Sequence, residues 1–550
     1  MSSFPCAVNT PGVPPRTVGA SRRVLVIGAD GASPEMIYAW ANGGLLPAFR
    51  ALMERGVRGR LTSTVPPHSG PAWISAITGK NPGKHGVFYF TTVNPRRAPP
   101  RIVSSHDIRT ETMFDVAGRN GKRSVVVNVP ITYPPWRIKG VMVSGIFAPS
   151  EKVVFTSPPE VGPGLVANGY EVEFSTWDTW KENRRLVSRD ETPEELSRMR
   201  NDYFNGTLEM DDKIADAFIG LLQNEDWDLS MVMLPGLDRV QHLLWQPMVR
   251  GEDLSAGRQF GCSRFVVEAY QNVDRLVKKI LGTVDGDTWI VFLSDHGFGL
   301  TPRIFYANRW LRSQGLLTPS RRASIYGRGI AKLKGLAQEI GDRPADKSVP
   351  AFHILLPLSS IDMPQTKAYS PTPYGLVNVN GKSTEEREIL ANSLAKQFEE
   401  IVDPKSGRRV ILKAHLSSEI YPGPCQAEAS DLILEPVPDY HIENRMDGTD
   451  AFADAERHPA LHKPEGILLL SGPQSWNNFE LSSAHIYDVA PTILTILGVP
   501  LPKDIDGKTL STAFRPDGPV AMEEADQIDD RGGTKEVSDR VRRLKAEGKI

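Results

Sequence analysis

Val24-Leu25-Val26-Ile27-Gly28-Ala29-Asp30-Gly31 is the stretch on which the fold turns. Its first four residues are apolar, three of them β-branched, and no polar residue alternates with them. Such a short unbroken run reads as a strand buried on both faces, the pattern of a parallel sheet, and it ends on a carboxylate. Ser33-Pro34-Glu35 follows and predicts a helix to about Arg55, with Ser33 as N-cap and Pro34 at the first helical position.

The same grammar recurs outward from this point. Apolar runs lie at Ser124 to Val129, at Leu229 to Leu234 ahead of Gly236 and Asp238, and at Trp289 to Leu293, which enters Ser294-Asp295-His296-Gly297. Another lies at Ile467 to Leu470 before Ser471-Gly472-Pro473. Strands alternating with helices predict an α/β fold, a central mostly parallel sheet with helices on both faces. Ligands of such sheets bind beyond the carboxyl ends of the strands.

Two stretches break the alternation, at about 149–200 and about 301–364, the second carrying the basic segment Arg321 to Lys334. Both are expected to be cap insertions that roof the site, within one catalytic domain spanning 23–515. Residues 1–22 read as a disordered leader, and 516–550, charged and poor in apolar residues, as a mobile tail.

Over the 550 residues, 64 basic side chains nearly cancel 66 acidic ones, so no basic field is offered to a nucleic-acid duplex. Cys6, Cys262 and Cys425 form no CxxC pair and no disulfide framework, and are expected to be incidental thiols. No run reaches the roughly 18 apolar residues of a membrane span. The expectation is a cytoplasmic protein acting on a small molecule, its oligomeric state open.

Asp238 and His242 stand four apart just after an apolar run, so on a helix they share a face. The pair suits a divalent ion, although alone it could be a surface salt link. Asp295 and His296 leave the run ending at Leu293, where the alternative is an Asp-capped turn. Asp30 adds a third carboxylate, and His462, just ahead of Ile467 to Leu470, a third imidazole. Three Asp and three His near strand ends together point to a metal centre. Ser69, in Pro66-Pro67-His68-Ser69-Gly70-Pro71-Ala72-Trp73, lies between a Pro-rich turn and an apparent helix start. There it could meet an incoming anion, or be only an N-cap.

The ordered set Gly28 to Gly31, Pro66 to Trp73, Ile77 to Gly86, Leu237 to His242, Ser294 to Gly299, His462 to Pro473 and Ile486 to Gly507 resembles the type I phosphodiesterase and nucleotide pyrophosphatase family of the alkaline phosphatase superfamily. The resemblance covers about 23–510. It implies an alkaline-phosphatase-like fold and a hydrolase of phosphodiester or pyrophosphate bonds working through a covalent phosphoserine on Ser69. Two divalent ions are implied: one on Asp238, His242 and His462, the other on Asp30, Asp295, His296 and the Ser69 oxygen. Zinc is the implied metal, with manganese or magnesium as alternatives. Four positive charges would then face three carboxylates and an alkoxide, leaving room for an anionic phosphate.

The pattern departs from its relatives in places. Serine replaces the threonine nucleophile of many members, and Phe90 stands near where nucleotide pyrophosphatases carry a phosphate-binding Asn, which puts nucleotide specificity in doubt. Trp73 replaces the arginine a sulfatase needs. His68 is expected to line the pocket, His85 to brace a turn, His485 to open a helix beside Asp488 in a structural role, and Asn308 and Trp310 either to touch substrate or to anchor the cap. The competing functions are a phosphatase or a phosphotransferase or mutase of the same superfamily, and a non-catalytic metal-bearing binding protein.

Overall fold

The structure is a computed structural model that describes residues 22–172, 192–246, 256–320, 358–455 and 459–515. The leader to residue 21, Cys6, residues 173–191 of the first expected insertion, the basic segment Arg321 to Lys334 and the 516–550 tail lie outside these residues.

Strand β1 (Val24–Ala29) is the middle of the main sheet, parallel to β6 (Leu229–Leu234) on one side and β7 (Trp289–Leu293) on the other. The parallel block continues through β3 (Ser124–Val129) to β4 (Gly140–Ser144), and β5 (Thr156–Ser157) closes that edge antiparallel. Beyond β7 lies β17 (Glu465–Ser471), antiparallel both to β7 and to β2 (Val57–Thr62), and β18 (Phe479–Glu480) and β19 (Ala484–His485) pair with β2. The sheet is thus mostly parallel, as its apolar runs predict.

Every residue of β1 is fully buried because both faces are covered. Its period of two sends Leu25, Ile27 and Ala29 into a core with Ile37, Phe49, Phe218 and Tyr270, and Val24 and Val26 into one with Trp73, Ile77, Phe114 and Ile493. Gly28 is required on the second face, where a Cβ would stand 2.4 Å from Trp73 Cη2.

The helix expected from Pro34 to Arg55 is two helices, Pro34–Asn42 and Pro47–Arg55. Gly44 turns left-handed between them (φ 83°), and Pro47 can only start a helix. Ser33 is the N-cap residue with Pro34 after it, yet its hydroxyl bonds Glu35 Oε2 (2.9 Å) instead of the backbone.

Strands β8 (Gly297–Leu300) and β16 (Ala460–Lys463) pair antiparallel, and residues 301–459 leave the sheet between them. This excursion has its own core, including Phe305, Leu311, Val377, Phe398 and Ile442. It holds a four-stranded sheet, β10 (Ala368–Tyr369), β11 (Leu376–Val379), β13 (Leu432–Pro436) and β12 (Ile411–Leu416), and a three-stranded one, β14 (Tyr440–Glu443), β9 (Arg303–Tyr306) and β15 (Phe452–Asp454). Where the sequence places an insertion at about 301–364, the excursion therefore runs well past it. Its later strands and helix pattern like those of any α/β domain and mark no break at 364.

Of the first stretch, the described residues 149–172 extend the sheet edge through β5 and the short helix Val161–Ala167. Residues 193–200 are the opening turns of the long helix Pro193–Asn224. Among the described residues no helix is long and apolar enough to cross a membrane, and Cys262 and Cys425 are buried free thiols.

Candidate active site

Three adjacent strands, β7, β1 and β6, end at one edge of the sheet and deliver Asp295 and His296, Asp30, and the helix Gly236–Leu244 with Asp238 and His242. β16 brings His462 to the same place, and the chain leaving β2 brings Ser69 on the helix Ser69–Thr78. All seven residues singled out in the sequence therefore meet at one place.

Ser69 Oγ lies 3.2 Å from Asp30 Oδ1 and 3.2 Å from His296 Nε2. That nitrogen is 3.3 Å from Asp30 Oδ1 and 3.4 Å from Asp295 Oδ2. His296 Nδ1 is 2.9 Å from Gly297 O, so a proton on Nδ1 donates there and aims Nε2 at Asp30 and Ser69. The open question of whether Ser69 is only a cap is answered by its neighbour: His68 is the N-cap, its Nδ1 accepting from the Gly70 N–H at 3.2 Å. Ser69 is the first helical residue and its hydroxyl is free for other contacts.

In the second group, His242 Nε2 and His462 Nε2 are 2.9 Å apart, and Asp238 Oδ1 is 3.4 and 3.3 Å from them. His462 Nδ1 sits 2.9 Å from Pro67 O, which leaves Nε2 as the lone pair facing inward. Asp238 also groups with Asp30 and His296, all offering ligand atoms within 4.8 Å of one another, so it stands between the two sets rather than in one alone. The rings of His296 and His462 stack at 3.6 Å and join the sets.

The charges are unbalanced as they stand. Asp238 Oδ1 and Asp295 Oδ2 are buried acceptors with no hydrogen bond. Burial and then the Asp30 charge hold the Asp295 carboxyl well above its usual range. His296, despite burial that opposes it, is pushed up to about 10 by Asp295 and Asp30. Burial and the nearby His296 push His462 down to about 4. Orphaned carboxylate oxygens beside convergent imidazole nitrogens are a donor set that fits divalent cations once the proton on His296 Nε2 is displaced.

Buried supports hold these groups in place. Gln241 Nε2 donates to Gly31 O (2.8 Å), Tyr270 OH donates to Gln241 Oε1 (3.3 Å), and the Ser33 N–H donates to Tyr270 OH (2.8 Å). The turn after β1 is thereby strutted against the helix of Asp238. That helix starts on the Gly236 N–H, which donates to buried Asp211 (3.1 Å). Trp73 Nε1 donates to Asp30 Oδ2 (3.3 Å), so the residue that departs from the sulfatase pattern orients a carboxylate instead.

An aromatic wall stands over Ser69. The His68 ring packs on Tyr89 (3.9 Å between centroids), Phe90 (4.7 Å) and Tyr374 (5.3 Å), and Tyr374 lies 5.1 Å from His462. Phe90 also meets Phe147 at 5.2 Å. Tyr374 and Phe147 both have left-handed backbones (φ 68° and 85°), strain of a kind found at ligand sites. Glu443, from the cap, acts on the Tyr89 and Tyr374 phenols, and burial pushes its carboxyl up to about 7. Tyr374, Phe147 and Glu443 carry no sequence signal: no motif surrounds them, and Tyr374 and Glu443 reach the site only because the cap folds back.

The remaining candidates are structural. His85 Nε2 bonds Ser75 Oγ (2.9 Å) in the interior, and burial pushes its imidazole down to about 3. His485 accepts from the Tyr487 N–H (3.3 Å). Asn308 ties Ser370 and Asn444 together inside the cap, and Trp310 stacks near Phe398 (4.7 Å), so both anchor the cap.

An alkaline-phosphatase-like sheet bearing this cluster defines a phosphoric ester hydrolase. The chain belongs to the family described as type I phosphodiesterase / nucleotide pyrophosphatase, whose model matches residues 24–462. Its fold is similar to that of phosphonoacetate hydrolase from Sinorhizobium meliloti 1021, solved with phosphonoformate (TM-score 0.52, 14% identity, 87% of this chain and 96% of that one). It is also similar to murine ectonucleotide pyrophosphatase / phosphodiesterase 5, solved in an inactive form with AMP (TM-score 0.50, 12% identity, 90% and 98%). No curated protein matches the sequence.

Proposed function

We propose that the protein hydrolyses phosphodiester or pyrophosphate bonds through a covalent phosphoserine on Ser69, with two divalent ions as cofactors. The observation that carries this reading is Ser69 Oγ at 3.2 Å from both Asp30 and His296, on a helix start whose capping is done by His68.

Asp238, His242 and His462 would hold one ion, and Asp30, Asp295, His296 and the Ser69 oxygen the other, with zinc favoured by the nitrogen donors. Bound ions would supply positive charge that favours the alkoxide form of serine and neutralises phosphate. The residues do the rest. Ser69 Oγ bonds to phosphorus as the bond to the leaving oxygen breaks, and water then cleaves the phosphoserine and restores the hydroxyl. His68, Tyr89, Phe90 and Tyr374 form an apolar wall that shields the reacting phosphorus from bulk water.

The test is hydrolysis of bis-p-nitrophenyl phosphate and of p-nitrophenyl phosphate by wild type and Ser69→Ala, after chelation and after zinc restoration. The expected result is a diester preference needing both zinc and Ser69, with metal content of Ser69→Ala near wild type. Turnover by Ser69→Ala equal to wild type would overturn the phosphoserine.

A further inference from the structure

A second cavity, of about 320 Å³, lies between the loop from Gly86 to Arg109 and the cap turn Pro424 to Glu428. Phe88 and Thr91 line it, with Arg97, Arg101, Arg109 and Glu428 around them. Its walls are fixed to each other: Asn94 Nδ2 donates to Ala427 O (3.2 Å) and Ala429 O (2.9 Å), and the Cys425 N–H donates to Gly83 O (2.8 Å).

Some of the polar groups facing the cavity lack a partner within the protein, while Thr92, Asn94, Arg101 and Asp107 have theirs. Thr91 is 7% exposed, yet its buried hydroxyl has no hydrogen-bond partner. Arg101 is spent on Asp107, which it grips with both guanidinium nitrogens. Arg97 and Arg109, both exposed at the cavity mouth, and the half-buried Glu428 make no side-chain hydrogen bond or ion pair among the described residues, although the Arg109 charge acts on Asp107 and that of Glu428 on Arg101. Beside the Arg101–Asp107 pair, the cavity carries two further guanidinium groups and one carboxylate, a net positive charge. Guanidinium groups match tetrahedral oxyanions, and a lone carboxylate among them suits an anion that still carries a proton to donate.

We propose that this cavity is a second phosphate site, separate from the catalytic cluster, that takes inorganic monohydrogen phosphate. Arg97, Arg109 and the Thr91 hydroxyl donate to its oxygens, and Glu428 accepts its remaining P–OH. Sulfate, with no proton at neutral pH, would meet Glu428 as a bare charge and is rejected. The site backs directly onto the active centre. Phe88 and Thr91 line the cavity, while Tyr89 and Phe90 between them pack on His68 and on the helix start, where a Cβ on Gly70 would stand 3.2 Å from Phe90. Phosphate bound behind this strip therefore lies one layer of side chains from the wall over Ser69.

The experiment is equilibrium dialysis of radiolabelled orthophosphate against the zinc-loaded enzyme, wild type beside an Arg97→Gln/Arg109→Gln variant, with sulfate as competitor. Wild type is expected to bind one phosphate more per chain than the variant, and excess sulfate is expected not to displace it. Phosphate inhibition of diester hydrolysis is expected to be mixed in wild type and purely competitive in the variant. Equal stoichiometry in the two proteins, or a difference erased by sulfate, overturns the proposal. Should the double variant lose turnover, Glu428→Gln decides: the preference for phosphate over sulfate collapses if the site exists and is unchanged if it does not.

Discussion

At Ser69 the work of starting a helix and the work of chemistry fall to different side chains. Because His68 accepts from the Gly70 N–H, the serine hydroxyl is left to Asp30 and His296. His68→Ala removes that cap and the ring under Tyr89, Phe90 and Tyr374, and should cost about 1 kcal/mol of stability, read as a lower denaturant midpoint, together with a fall in kcat. Glu443 makes a pH prediction. Burial, partly opposed by Arg445, raises its carboxyl from 4.5 to about 7, so between those values the folded chain holds a proton the unfolded chain has lost. Its contribution to stability is complete below about pH 4.5 and disappears as pH rises through 7. Glu443→Gln should therefore flatten the stability profile in that window, by on the order of 1–3 kcal/mol at pH 8. An unchanged slope would mean that Glu443 is not the titrating group. The residues the sequence could reveal were those tied to an apolar run: Asp30, Asp238, Asp295, His296 and His462 each stand at or near a strand end. Asp238's place between both sets was not legible, since spacing along one helix carries no information about a neighbouring strand.

Among the elements, β1 leaves the least freedom. Ala at Gly28 would force Trp73 out of its place and with it the indole N–H that meets Asp30. Gly28→Ala is expected to lose about 1–3 kcal/mol in chemical denaturation and to lose turnover as well. The strut from Ser33 through Tyr270 and Gln241 to Gly31 sets the distance between the turn after β1 and the Gly236–Leu244 helix. Tyr270→Phe leaves the ring but strands a buried N–H and an amide oxygen, so a loss of about 1–3 kcal/mol is expected, with fewer ions retained per chain after dialysis. Full metal retention would show that the strut serves folding alone. The strands were legible because two covered faces demand unbroken apolar runs. The split of the first helix at Gly43-Gly44 was written in the sequence as well, but amphipathic spacing continues across it and hides the break.

For the whole molecule, a ligand that binds only the folded chain stabilises it by about 2.7 kcal/mol at one hundred times its dissociation constant. Zinc added to chelated protein should therefore raise Tm, with a smaller rise in a His242→Ala/His462→Ala variant; the same rise in both would place the ion elsewhere. The full reach of the cap escaped the sequence because its strands obey the same period-two rule as the sheet it leaves. The way that cap is attached has a consequence of its own. Both chain segments entering it pass through β8 and β16, one directly after His296 and the other carrying His462. Cap and proposed ion site are thus joined through one pair of strands. By thermodynamic reciprocity, if metal at the proposed site shifts the cap, a ligand that shifts the cap the same way changes metal affinity by the same factor.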